Sequence, residues 1–326
     1  MLKEIEWRRS ERAEFETLKG ACNARHLISS GLSFALMGTK LNVHFQYPSF
    51  IDKLRDKFDI FECRNVEIPE MFFVDKSRNP RQSERGGNYG YVSQCGGKAV
   101  VFSNEFGIFK SVINGFASYL VASVGYVPVH ASIVEVNGHG ILFTGGYHAG
   151  KTTVLINFID DLIRAGDSVK VLTDDWAVVR QESGCYVAKT FDPSISLRFS
   201  DLQDNPQLVF AGSEHLKWRF GKMAKISLHP DDLYGMDCST EAVKVRTIVL
   251  LTDETRTSVI TTAIRDDEPR AIINAAYHYP YVDVEQVAKH MSFWNEAIEK
   301  LRFVSFAHGN SGDKVKNINR LRKEIL

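Results

Sequence analysis

The sequence predicts an α/β protein built around a phosphate-binding loop. Three observations carry that expectation. The stretch Gly145-Gly146-Tyr147-His148-Ala149-Gly150-Lys151-Thr152 fits G-x-x-x-x-G-K-[ST] at every fixed position. The apolar run Ile141-Leu142-Phe143 leads into it, and a segment of helical spacing leads out. Short β-rich runs and helical runs alternate on either side.

The elements follow in chain order. Residues 1–20 read as a helix, with Ile5, Phe15 and Leu18 among charges. Residues 30–46 turn to short strands around Gly38, and 49–58 return to helical spacing. The stretch 77–97 is polar and glycine-rich, and predicts a long loop or hairpin that is a mobile segment. An apolar-faced helix is expected over 104–124. The runs VPVHASIVEV and HGILFTG flank Asn137-Gly138, a strong hairpin signal. After the loop, Val154, Ile156, Phe158, Ile159, Leu162 and Ile163 form a helical apolar face, and Gly166 sits where a C-cap belongs. SVKVLTDDWAVV is a strand interrupted by Asp174 and Asp175. CYVAKTF, SISLRF, KISLHP and VRTIVLLTD make the next region β-rich, and the chain from about 265 reads as helical. Its end, KVKNINRLRKEIL, is a basic amphipathic helix expected to pack against the body.

Composition narrows the class. The 326 residues suit one large domain or two ordinary ones, and 44% are hydrophobic, enough for a substantial core. Formal net charge is zero, so nothing points to nucleic acid or an anionic membrane. Cys22, Cys63, Cys95, Cys185 and Cys238 are scattered and odd in number. That argues against a disulfide framework or zinc site and suits a reducing, cytoplasmic setting. The charged N-terminus lacks the apolar core of a signal peptide. The most apolar window, Val112 to Val129, is too broken by polar residues, glycine and proline to span a membrane.

The loop pattern has a physical basis. Glycines let backbone amides converge on an anion, and a helix starting near Gly150 aims its N-terminal amides at the same place. Lys151 supplies a point charge for phosphates, and Thr152 offers a hydroxyl to Mg²⁺. Gly145, Gly146, Tyr147, His148, Ala149, Gly150, Lys151, Thr152 and Thr153 are therefore the candidate phosphate-binding set. His148 also fits an exposed, variable position. Average usage gives a chance match in roughly one chain of this length per hundred.

Asp174 and Asp175 lie in an otherwise apolar strand. Buried carboxylates are costly unless paired, hydrogen-bonded or metal-bound. Beside a phosphate loop, one can hold a metal and the other can accept a proton. His130 opens the strand pair that leads into the loop, and is either a core residue or part of the site.

With these residues in view, the central region resembles the C-terminal catalytic domain of HPr kinase/phosphorylase, and more closely the wider set of HPr-kinase-like proteins. The shared features are VPVHASIVEVNGHGILFTGG, then AGKTT, then VLTDDWAVV, in the family's order and with similar spacing. The resemblance is clear over 104–182, weaker through KVRTIVLLTDE and the helical end, and does not reach residues 1–100. It implies a P-loop kinase fold of the type shared with ATP-dependent phosphoenolpyruvate carboxykinase over 104–326. Residues 1–103, which the resemblance does not reach, are expected to form a smaller α+β domain that helps to select the acceptor. The implied activity moves the γ-phosphoryl group of ATP, with Mg²⁺, to a serine-type hydroxyl of a protein, peptide or small molecule. Lys151 would bind phosphates. Thr152 would hold Mg²⁺, the Asp174/Asp175 pair would supply the base and a metal contact, and His130 would orient or charge-balance that pair; within it, Asp174 is expected to be the base and Asp175 to steady Mg²⁺ or His130. Arg198, Lys222 and Lys225 are candidates to neutralise the γ-phosphate. Neither nucleic acid nor membrane is an expected partner, and a homo-oligomer is compatible with the chain.

The chain departs from the family in three places. The family's loop carries serine where Tyr147 or His148 stands, and serine at the Thr152 position. Downstream of the aspartates, FDPSISLRF replaces the glycine-rich signature of true HPr kinases. HPr and the phosphorylase activity are therefore not implied, and the family's acidic metal ligand is unplaced. A carboxykinase-type enzyme and a nucleotide-binding sensor without chemistry are the alternatives.

Overall fold

The computed structural model describes residues 5–10, 30–36, 39–45, 70–74, 88–93, 98–103, 112–113, 121–122, 124–146, 149–190, 192–198, 225–252, 259–261, 272, 284–307 and 314–326. The chain divides into two compact units. One comprises Met1–Tyr126 with His278–Val284, the other Val127–Tyr277 with Glu285–Leu326.

The first unit holds a six-stranded sheet. Its strands are β1 (Ile5–Ser10), β2 (Ser30–Leu36), β3 (Thr39–Phe45), β4 (Glu70–Val74), β5 (Asn88–Ser93) and β6 (Lys98–Phe102), in the order β1-β5-β6-β4-β3-β2. The short strands expected around Gly38 are β2 and β3, which pair antiparallel. The helix expected over 1–20 is corrected: Ile5–Ser10 is a strand, parallel to β5. Ile5 and Trp7 alternate with Glu6 and Arg8, a period of two rather than 3.6. β5 and β6 pair antiparallel, so the glycine-rich stretch leads into a hairpin. The remainder of 1–20, the segment 49–58 and most of 104–124 lie outside the described residues, although 112–113 and 121–122 are helical.

The second unit is a mixed α/β domain with a curled central sheet. Its sheet strands are β7 (Val127–Val129), β8 (Ala131–Val136), β9 (His139–Gly145), β10 (Val169–Thr173), β11 (Ala177–Glu182), β12 (Cys185–Lys189), β15 (Ala242–Thr252), β16 (Val259–Thr261) and β17 (Arg302–Ala307). The order is β10-β8-β9-β15-β12-β11-β7, with β17 on β15 and β16 on β17. β13 (Ile195–Arg198) and β14 (Lys225–Leu228) form a separate antiparallel pair. The helices are α1 (Lys151–Ala165), α2 (Pro230–Tyr234), α3 (Val284–Lys300) and α4 (Lys314–Ile325). Among the described residues, no helix is long and apolar enough to cross a membrane.

Alternation along the strands builds a core on each face of the sheet. On β9 and β15, Ile141, Phe143, Val249 and Leu251 pack with Leu155, Phe158, Ile159 and Leu162 of α1. Leu142, Ile248 and Leu250 face the other way, with Trp294, Ala297 and Ile298 of α3. The basic C-terminal helix packs on the body as expected. Ile318, Leu321 and Ile325 join the α1 core, and Arg322 reaches Asp161 and Asp167 at 3.3 and 2.6 Å. The expectation of helix from 265 onward is corrected by β17, whose Phe303, Val304 and Phe306 are buried. A central strand buried on both faces reads as a short apolar run, which spacing alone does not separate from helix.

The sheet curls because two stretches of chain each serve it twice. β7 runs into β8 with only His130 between them, and β10 runs toward β11 across Asp174, Asp175 and Trp176. β8 pairs antiparallel with β10, and β7 pairs antiparallel with β11. The two lines of chain are thus interrupted at the same level.

Candidate phosphate and carboxylate site

The loop follows β9 at the level of this double break. Gly145 has φ 155°, and a Cβ there would lie 2.5 Å from the carbonyl oxygen of Leu251. Close approach to β15 therefore excludes any side chain. Gly150 is the N-cap of α1 in the left-handed region, φ 79°. With no side chain it leaves the first amides of the helix without a side-chain cap, which suits an anion. Gly146 has neither a positive φ nor neighbours within 4 Å of a built Cβ, so the backbone does not demand glycine there.

Lys151 is only 7% exposed. Its Nζ donates to the carbonyl oxygens of Gly145 and Gly146 at 3.3 and 3.2 Å, so the loop wraps its own cation. Ala149 belongs to the α1 core, and its amide donates to Gly146 at 3.2 Å. That amide is engaged within the turn rather than held open for an anion. Thr153 uses its carbonyl to accept from Asn157. Tyr147 and His148 lie outside the described residues.

Both carboxylates reach this end of the sheet, in different environments. A bulge between Val171 and Thr173 shifts the phase of β10, so that Asp174 comes beside Ser132 of β8. Asp174 is 3% exposed. Its Oδ1 accepts from the Ser132 hydroxyl at 3.0 Å. Its Oδ2 accepts from the Thr152 hydroxyl at 3.0 Å and from the Ser196 amide at 3.1 Å. Burial first, and the adjacent charge of Asp175 second, push its pKa up to about 7, against the pull of those three donors. The Asp175 side chain is 36% exposed, and its Oδ1 lies 3.1 Å from Nε2 of His130. The ring of His130 is tilted against Trp176, with centroids 6.1 Å apart.

The groups that make the double break tenable do not stand out in the sequence. Interrupting a ladder strands main-chain polar groups, and buried ones must be satisfied. Hydroxyls do this one by one. Thr144 donates to the His130 carbonyl at 3.2 Å and Ser132 to the Asp174 carbonyl at 3.0 Å. Thr173 accepts from the Asp175 amide at 3.3 Å, and Thr190 donates to the Trp176 carbonyl at 2.6 Å. Their sequence signal is a hydroxyl inside an apolar strand pattern, as in HASIV, LFTGG and VLTDD. Arg198 and Lys225 are cross-strand partners in the β13–β14 pair, and their side chains, with all of Lys222, lie outside the described residues.

Oxygen donors gather where Thr152 meets Asp174, a donor set that fits a hard divalent cation. Among the described residues, no group of three or more His, Cys, Asp or Glu forms a metal cluster. A cation there would take one carboxylate and a hydroxyl and leave its other positions to phosphate or water, as Mg²⁺ does.

No family profile matches the chain, and no curated protein matches it. Among solved structures it is similar to one described as the Hpr(Ser) kinase/phosphatase from Coxiella burnetii. The two are 11% identical, the match covers 61% of this chain and 95% of that one, and the TM-score is 0.32. At that score function rests on the site's own chemistry. The fold is a mixed α/β domain, compatible with nucleotide binding.

Proposed function

We propose that the domain binds ATP at the 145–152 loop and transfers its γ-phosphoryl group to a hydroxyl of a protein, peptide or small molecule. One observation carries this reading. The loop's hydroxyl, Thr152, meets Asp174 at 3.0 Å, while the neighbouring Asp175 is held by His130 at 3.1 Å. A loop that served only as a turn has no need of a buried carboxylate against its hydroxyl.

The geometry favours exchanging the roles that the sequence suggests for the aspartates. Asp174 is the buried one, and it touches the hydroxyl that would share a cation. Thr152 and Asp174 are therefore the residues that would hold Mg²⁺, which supplies charge neutralisation for the phosphates when bound. Asp175 is the more exposed carboxylate, so an acceptor hydroxyl can reach it. In the proposed step the acceptor oxygen forms a bond to the γ-phosphorus, the bond from that phosphorus to the β–γ bridging oxygen breaks, and ADP leaves. Asp175 takes the acceptor's proton, with His130 holding its orientation. Lys151 and the α1 amides offset negative charge on the phosphates.

Calorimetry with Lys151→Ala tests the nucleotide site. The variant should keep its fold and lose at least about tenfold in ATP affinity, the scale of one charge-assisted bond. Wild-type affinity in that variant removes the reading. ADP release with a pool of cell metabolites and peptides, followed by mass spectrometry of the products, tests transfer itself.

A further inference from the structure

Building on that reading of the site, we infer that Ser132 is a positioning residue for Asp174, fixing the plane of its carboxylate so that one oxygen faces Thr152. Ser132 is fully buried on β8, amid Ala131, Ile133 and Val134. Alanine would satisfy the packing equally well, so a buried hydroxyl here has another purpose. Its Oγ lies 3.0 Å from both the main-chain oxygen and Oδ1 of Asp174. Among the hydroxyls at the double break, Thr144 donates to a main-chain carbonyl, and Thr173 and Thr190 each serve main-chain amides and carbonyls. Ser132 shares its one hydroxyl hydrogen between the main-chain oxygen and the carboxylate of one residue.

That bridge has a geometric consequence. Rotation of an aspartate carboxylate about Cβ–Cγ is broad and nearly two-fold, so the chain does not fix it intrinsically. With Oδ1 tied to Ser132 on a strand paired on both edges, Oδ2 is left facing Thr152 and the Ser196 amide. Outer groups that orient a metal ligand are typically worth 10- to 100-fold in metal affinity.

The test compares Ser132→Ala and Ser132→Thr with Thr190→Val, which removes a hydroxyl that serves main-chain carbonyls. Mn²⁺ binding is read by electron paramagnetic resonance, with a non-hydrolysable ATP analogue present, and folding by thermal melting. Ser132→Ala should lose about tenfold in Mn²⁺ affinity while metal-free analogue affinity changes by less than about twofold. Ser132→Thr, which keeps the hydroxyl, should recover most of that loss. Thr190→Val should melt lower and bind Mn²⁺ as wild type does. Unchanged Mn²⁺ affinity in Ser132→Ala overturns the inference, as does an equal loss in Thr190→Val. If Ser132→Ala does not fold, Ser132→Cys takes its place, keeping the size with a weaker donor, and wild-type affinity there overturns the inference too. Absence of Mn²⁺ and analogue binding in the wild type brings down the kinase reading itself, and the inference with it.

Discussion

Asp174 and Asp231 each accept three short hydrogen bonds, yet the protein displaces their acidities in opposite directions. Asp174 receives the Ser132 and Thr152 hydroxyls and the Ser196 amide. Asp231, in α2, receives the Cys238 amide at 2.7 Å, the Ser239 amide at 2.7 Å and the Ser239 hydroxyl at 2.9 Å, with His229 Nδ1 at 3.4 Å. Burial and the charge of Asp175 raise the pKa of Asp174 to about 7. Burial also pushes Asp231 upward, but the two amides, the hydroxyl and His229 together outweigh it and hold its pKa below the ordinary value. The number of donors is thus not what separates them. Exposure and the sign of the neighbouring charge are: 3% for residue Asp174 beside a carboxylate, against 34% for the Asp231 side chain beside an imidazole.

The two carboxylates also act on the same strand. Asp231 fixes the segment at 238–240, which lies along β10: the Val171 amide donates to Cys238, and Thr240 donates back to Val171. That is the strand whose end carries Asp174. The Asp231 carboxylate builds the edge, and the Asp174 carboxylate sits at the opening beyond it.

The sharpest way to break the contrast is to remove the like charge beside Asp174. Asp175→Asn should lower turnover by about 10²–10⁴-fold, the usual worth of a general base, while ATP still binds. The same change should bring the Asp174 pKa down from about 7, though only part of the way, because burial is its first cause. Steady-state kinetics and carboxyl NMR titration read the two effects. Unslowed turnover in Asp175→Asn returns the base role to Asp174.

Asp174→Asn acts next. The unfolded chain ionises Asp174 near 3.8 and the folded protein near 7, so the folded state binds more protons in between. Its contribution is whole below 3.8 and is lost as pH rises through about 7. The full shift corresponds to roughly 4 kcal/mol. An amide facing three donors forfeits part of that, so the variant should exceed wild type at pH 8 by about 1–2 kcal/mol in urea unfolding. It should also need more Mg²⁺ for turnover. A variant less stable than wild type at pH 8 would show that Asp174 is ionised at little cost.

Asp231→Ala should cost about 1–3 kcal/mol near neutral pH, because two amides and a hydroxyl lose their acceptor. Its sign in pH is opposite. A depressed carboxylate stabilises above its unfolded pKa, and that contribution is lost as pH falls through the still lower folded value. Wild type should therefore lose this increment in acid and Asp231→Ala should have none to lose, as thermal melting at pH 7 and pH 3 would reveal. The smallest effect belongs to His229→Gln, below about 1 kcal/mol, since the pair is partly exposed and screened. A larger loss would mean that His229, not the amides, governs Asp231.

Much of this site was legible because its residues break local rules. Three glycines with Lys-Thr in register, and two carboxylates in an apolar run, are anomalies a sequence displays openly. The hairpin at Asn137-Gly138 was equally plain, with Asn137 at φ 50° and Gly138 at φ 79°. The division of labour between the aspartates was hidden, because it depends on the bulge in β10 and on which neighbour buries which oxygen. Ser132, Thr144 and Thr173 were hidden for another reason. A single hydroxyl in a strand is unremarked until the missing ladder partner is known. β1 departs from the expected helix because Phe15 and Leu18 suggest a longer period than Ile5 and Trp7 alone display.

The double break also decides where this chain can change length. His130 and Asp175 meet only because two separate ladders are each in register, Val136 with Val169 on one side and Val127 with Val179 on the other. An inserted residue in any of these four strands moves one partner by about 3.3 Å and turns the side chains beyond it to the opposite face. The turn at Ser183-Gly184 joins β11 to β12 away from this level, and can lengthen without disturbing the meeting. Insertions and deletions in the lineage of this protein should therefore be barred from 127–136 and 169–179 and admitted at 183–184.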